Sequence, residues 1–215
     1  MAKNAKWTDD NWLLLMQIYL RKPVGVKPLY CKDMVNLSLE LHIAPTALQQ
    51  RMKQIDTLQT PRIERIWETY RNSPRKLSRA AGLLRSMKGY GAAEKFYEGV
   101  DVQETFELDF RPVGDDTSIT PAMLILMLDL YFRLTPATMV TETPEIQELA
   151  RLIRVTPRDV VAVMETFQHC DPYLDRPATA DNPLMQPCQE VWNRYGNGDT
   201  EQLAAFAAEL KEYFL

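Results

Sequence analysis

This sequence predicts an all-α fold built as two small helical domains in tandem, and three observations predict it. Apolar residues recur at spacings of three and four along most segments, the period of a helix buried on one side. Pro45, Pro121 and Pro157 sit where helical patterns begin, and a fixed φ suits the first turn of a helix. The chain also repeats itself: residues 8–21 (TDDNWLLLMQIYLR) align with residues 120–133 (TPAMLILMLDLYFR) at an offset of 112.

That offset pairs Thr8 with Thr120, Leu14 with Leu126, Tyr19 with Tyr131 and Arg21 with Arg133. It continues without a gap through Leu37 and Leu149, Pro45 and Pro157, and Met52 and Met164. Fixed-period self-similarity of this kind is the mark of a duplicated unit. Further on the offset becomes 125, where WETYRN (residues 67–72) meets WNRYGN (residues 192–197). The 13 extra residues are assigned to residues 172–184, PYLDRPATADNPL, a Pro- and Asp-rich loop.

The first helix of each copy starts behind Thr8 or Thr120 as N-cap and runs to about Leu20 or Phe132. Its apolar residues cover most of the circumference, so it is expected at the centre. The second spans Lys32 to His42; Val35, Leu37, Leu39 and Leu41 alternate as a strand would, but the segment reads as helix. Its counterpart, Pro144 to Ile153, carries a clear stripe of Ile146, Leu149, Leu152 and Ile153. Short turns then lead to a third helix, from Pro45 to about Ile55 in the first copy, with Leu48, Met52 and Ile55 facing inward. A fourth places Trp67 and Tyr70 in the core, and a last helix closes each copy, Lys76 to Lys88 and Glu201 to Phe214.

These readings give a basic helical domain over residues 1–90, an acidic linker over 91–117 and an acidic helical domain over 118–215. Within the linker, Val102 to Phe110 alternates imperfectly, which predicts a short strand or extended segment that packs through Phe106, Leu108 and Phe110.

Charge divides along the same line. The formal net charge is −4, but residues 1–90 hold 16 Lys and Arg against 7 Asp and Glu, a net of +9. Residues 91–215 hold 9 against 22, a net of −13. Asymmetry on this scale points to a polyanion surface on the first half.

Helix two, the turn and helix three make a helix-turn-helix pattern, in which the second helix enters the DNA major groove. With Leu48, Met52 and Ile55 inward, Thr46, Gln49, Gln50 and Lys53 point outward; glutamine pairs with adenine edges, lysine with guanine or phosphate. Arg21, Lys22, Lys27 and Lys32 flank this unit, and Arg75, Lys76 and Arg79 follow, as candidate phosphate contacts that supply affinity rather than sequence choice. The second copy does not keep this chemistry. Its matching residues are Arg158, Val161, Ala162 and Glu165, which suit packing or dimerisation.

No catalytic, cofactor-binding or metal-ligating residue is assigned. The sequence has no GxSxG, GxxxxGK[ST] or GxGxxG. His42, His169, Cys31, Cys170 and Cys188 are too scattered for a CxxC or HxxxH zinc site. The neighbours His169 and Cys170 do not face each other on a helix. Three widely spaced cysteines and the absence of an apolar leader or a membrane-length run predict a cytoplasmic protein with no membrane role.

Parts of both copies resemble the helical domain found ahead of the catalytic domain in many bacterial HNH-type endonucleases. In the second copy Thr143-Pro144-Glu145-Ile146 resembles that domain's helix start. Leu149-Ala150-Arg151-Leu152-Ile153 with Thr156-Pro157 resembles its turn, and Asp171-Pro172 its close. In the first copy, Trp7-Thr8-Asp9-Asp10 resembles its opening and Pro45-Thr46-Ala47-Leu48 its later helix start; the opening also resembles Myb/SANT-like domains. Departures are His42 and Arg154 at the family's turn glycine, and the lack of a His-Asn-His module. The resemblance implies a DNA-associated accessory fold without the nuclease.

Overall fold

A computed structural model describes residues 7–87, 90, 105–114, 118–174, 176 and 182–215. Of the proposed linker, residues 91–104 and 115–117 lie outside the described residues, as do 175 and 177–181 of the proposed loop insertion. The described residues are helical, with no strand among them. The chain forms two compact units, Met1–Glu107 and Leu108–Leu215, so the division falls within the stretch read as linker.

The first unit contains α1 (Asn11–Tyr19), α2 (Lys32–Leu41), α3 (Pro45–Asp56), α4 (Pro61–Tyr70) and α5 (Pro74–Ser86). α1 is the central element, in contact with each of the other four. Leu14, Leu15 and Met16 are 1% exposed or less, as its all-round apolar composition predicts. The ambiguous alternation of α2 resolves as helix, with Val35 and Leu37 buried and Leu39 and Leu41 half-buried. Leu48, Met52 and Ile55 are the buried stripe of α3. Trp67 and Tyr70 pack against the core while keeping an exposed edge. Thr8 does not cap α1: Asp10 holds the N-cap position without a side-chain bond, and the Thr8 hydroxyl donates to Asn11 Oδ1 at 3.1 Å.

The second unit contains α7 (Pro121–Arg133), a 3-10 turn (Pro136–Thr138), α8 (Pro144–Ile153), α9 (Pro157–Cys170), α10 (Met185–Val191), a π-helical turn (Trp192–Gly196) and α11 (Thr200–Lys211). Thr120 caps α7 by accepting from the Met123 N–H at 3.4 Å, with Pro121 next in line. Five successive residues of α7, Leu124 to Leu128, are 1% exposed or less, so this helix is buried all round. At Gly196 the backbone lies against the Trp192 indole; a Cβ there would stand 2.6 Å from the ring, so only glycine fits.

The short helix α6 (Thr105–Asp109) replaces the strand or extended segment expected there. Of the expected inward face, Phe110 is buried, but Leu108 is 44% exposed and Phe106 half-buried, while Glu107 and Asp109 are buried instead. The carboxylates tolerate burial because cationic or donor groups meet them. In the first unit Glu107 stands 3.0 Å from His42 Nδ1. In the second, Asp109 accepts both arms of the Arg194 guanidinium at 2.6 and 2.9 Å.

Candidate nucleic-acid interface

The turn between α2 and α3, the segment read as a helix-turn-helix, is closed by backbone geometry. His42 ends α2 in the left-handed region at φ 53°, and the Ile43 N–H returns to the Ser38 carbonyl at 3.1 Å. This five-residue return bond is the Schellman way of stopping a helix. Ala44 then precedes α3, and Pro45 takes its first position. Ala44 makes no side-chain cap bond; Pro45 has no N–H, the Ala47 and Leu48 N–H groups return to the Ala44 carbonyl at 3.0 and 3.2 Å, and the Thr46 N–H is the donor left at the amino end of α3.

Thr46, Gln50 and Lys53 form one exposed line along α3, at spacings of four and three. Gln49 departs from this face. It is half-buried, and its Nε2 donates to the Lys27 carbonyl at 3.2 Å. The Lys27 N–H in turn meets the Met52 sulfur at 3.2 Å. Together these bonds seat the α1–α2 loop on the flank of α3.

The other candidate cations sort by what they touch. Arg21 is paired with Asp33. Lys27 turns its ammonium back on its own loop, donating to the carbonyls of Arg21, at 2.7 Å, and of Pro23. Burial first, then the neighbouring Arg21 charge, holds Lys27 below the usual lysine range despite Cys31 and Asp33. Lys76 lies over the Tyr70 ring at 5.7 Å. Lys22, Lys32, Lys53, Arg75 and Arg79 are exposed, and no ion pair engages them among the described residues. Arg75, Lys76 and Arg79 stand on α5, which packs chiefly on α1, so they form a set separate from the α3 face.

Sequence reasoning missed two arginine roles. Arg51 stacks over Trp7 and Trp12, at 5.0 and 5.8 Å from the ring centres, and so braces α3 against the start of α1. Arg85 donates two bonds to Glu40, at 2.6 and 2.8 Å, and the Tyr90 hydroxyl completes the cluster. Burial pushes the Glu40 carboxyl up, but those two partners outweigh it and hold the carboxyl below its usual range. No local spacing announces either contact, since the partners are distant in sequence.

In the second unit Arg158, Ala162 and Glu165 are exposed on α9 and Val161 is half-buried. Here the amino end is covered: the Thr156 hydroxyl accepts from the Asp159 N–H at 3.2 Å, and Asp159 accepts from the Thr156 N–H at 2.9 Å.

Among the described residues no group of three or more His, Cys, Asp or Glu is placed to hold a metal ion. No helix among them is long and apolar enough to cross a membrane. The chain matches no protein-family model, no curated protein and no solved structure.

Proposed function

We propose that this is a non-catalytic DNA-binding protein whose first unit contacts the duplex through α3, while the second serves packing or dimerisation. One observation carries the reading: Thr46, Gln50 and Lys53 form an exposed line along a helix whose N-cap residue makes no side-chain bond, in a unit that also exposes Lys22 and Lys32. Helix N-termini and lysines hold phosphates, and a glutamine on the same face can read a base edge. The second unit supports the division of labour by contrast. Its α9 puts the Asp159 carboxylate over the amino end and Glu165 on the matching face, both repulsive to phosphate. The matching bounds of α2 and α8, and the left-handed turn that follows each, support an origin by duplication.

The test is titration of labelled duplex DNA with the full chain at about 50 and 200 mM salt. The expected result is an affinity that falls steeply with salt and is weakened by Lys53→Ala. Affinity indifferent to salt, or no binding at the lower concentration, contradicts the reading and leaves the basic unit as a surface for an acidic protein.

A further inference from the structure

The loop between α1 and α2 is held in one shape by bonds from several directions. The Gly25 N–H donates to the Tyr19 carbonyl at 3.1 Å. The Lys27 ammonium gathers the Arg21 and Pro23 carbonyls. The Lys27 backbone is anchored to α3 through Gln49 and Met52, both at 3.2 Å. Arg21 is tied to Asp33 at the start of α2. Gly25, at φ 135°, sits where a residue with a side chain would be strained.

This fixed loop nevertheless exposes two valines, Val24 at 54% and Val26 at 38%, next to the exposed Lys22. The bonds that hold the loop leave both valines facing out. The loop lies against the Gln49 and Met52 flank of α3, the helix that bears Lys53. Lys27, which follows the tip, is thus bonded to Gln49, and Gln49 lies one helical turn from Lys53 on the adjoining face of α3. The occupant must be anionic at its edge, to meet Lys22 and Lys53, and apolar between its charges, to meet the valines. Duplex DNA has both features: phosphates along the rim and sugar and base edges in the groove.

Resting on the DNA-binding reading above, we infer that residues 22–26 form a second DNA-contacting element, with Lys22 on a phosphate and Val24 and Val26 on the groove. Lys27 is a positioning residue that holds this element in shape and touches no phosphate. The loop is thus preorganised, and binding does not have to order it.

The experiment is a salt series of duplex-DNA titrations on the full chain, comparing the wild type with Lys53→Ala, Lys22→Ala, Lys27→Met, Val24→Ser alone, and Val24→Ser with Val26→Ser. Thermal unfolding of each variant checks the fold. Loss of one phosphate contact lowers the slope of log affinity against log salt by about 0.9. Lys22→Ala is expected to show that drop. The valine pair is expected to weaken binding about tenfold at an unchanged slope, with Val24→Ser alone moving part of the way. Lys27→Met is expected to weaken binding with the slope unchanged. If Lys53→Ala weakens binding but the valine variants bind as the wild type does, the loop inference is overturned and the DNA reading stands. A slope drop with Lys27→Met overturns its positioning role. A wild type without salt-sensitive binding overturns the reading and the inference with it.

Discussion

The helix pairs α2–α3, Lys32–Asp56, and α8–α9, Pro144–Cys170, turn in the same way and differ in what they show to solvent. α2 and α8 have the same bounds once shifted by 112 residues. Both end in a left-handed residue, His42 at φ 53° and Arg154 at φ 60°, and both close with a five-residue return bond, 3.1 and 3.0 Å long. The agreement reaches the aromatic corner. Tyr19 stands edge-on to Trp67 at 5.9 Å and donates to Asp56; Tyr131 stands edge-on to Trp192 at 5.9 Å and donates to Asp171. The outward faces do not agree at all. The difference teaches that the buried positions and the turn specify this fold, leaving the exposed line of the third helix available for other chemistry.

The core should respond most strongly, and unequally. Phe167 is fully buried and packs on Tyr131 and Trp192; the aligned residue in the first unit is the smaller Ile55. Phe167→Ala is expected to cost about 4 kcal/mol and Ile55→Ala about 3 kcal/mol, each read from urea denaturation of its own unit. Equal costs would mean that the second core relaxes around the lost ring.

The arginine forks come next. Arg194 meets an Asp109 side chain that is 9% exposed, whereas the Glu40 side chain held by Arg85 is 28% exposed. Arg194→Ala is expected to destabilise by about 2–3 kcal/mol, because it strands a buried carboxylate. Arg85→Ala should cost about 1 kcal/mol or less, being closer to solvent. The same denaturation curves check both values.

The tyrosine corners should titrate alike. Burial first, then the hydrogen bond to Asp56, pushes the Tyr19 hydroxyl up to about 12, and burial with the Asp171 bond raises Tyr131 in the same direction. A raised folded-state value means the stabilisation is fully present below the ordinary tyrosine value of 10.0 and is lost as pH rises toward about 12. Tyr19→Phe is expected to cost about 1 kcal/mol at neutral pH and to remove the first unit's share of the alkaline decline. An unchanged decline would show that the Tyr19 hydroxyl is not raised in the folded protein.

The smallest effect separates the two turns. Arg154→Gly relieves the left-handed strain and should stabilise the second unit by about 1 kcal/mol. His42→Gly should gain less, since it also deletes the contact with Glu107. Equal gains would show that the Glu107 contact contributes nothing.

How legible all this was in the sequence follows from the range of the forces involved. Periodicity exposed the α1 and α3 stripes because local spacing alone decides which helix face is apolar. It failed over residues 105–110, where Phe106, Leu108 and Phe110 suggested alternation. There Glu107 and Asp109 are buried by partners 65 and 85 residues away. It also placed Gln49 outward by angle, without seeing the Lys27 carbonyl, 22 residues earlier, that holds the amide. The positively charged half was visible as composition, but which cations stay unpaired depends on tertiary neighbours. Thr8 and Thr120 align, yet only Thr120 caps, because the first helix begins later relative to its threonine.

The central claim is that unit one binds DNA through an exposed line that unit two lacks. The most direct measurement exchanges those lines in the full chain and titrates duplex DNA at about 50 and 200 mM salt. One variant carries Gln50→Ala with Lys53→Glu, the residues of the second unit; the other carries Ala162→Gln with Glu165→Lys. The prediction is that the first variant loses salt-sensitive binding while the second binds at least as well as the wild type. Undiminished binding by the first variant would contradict the claim.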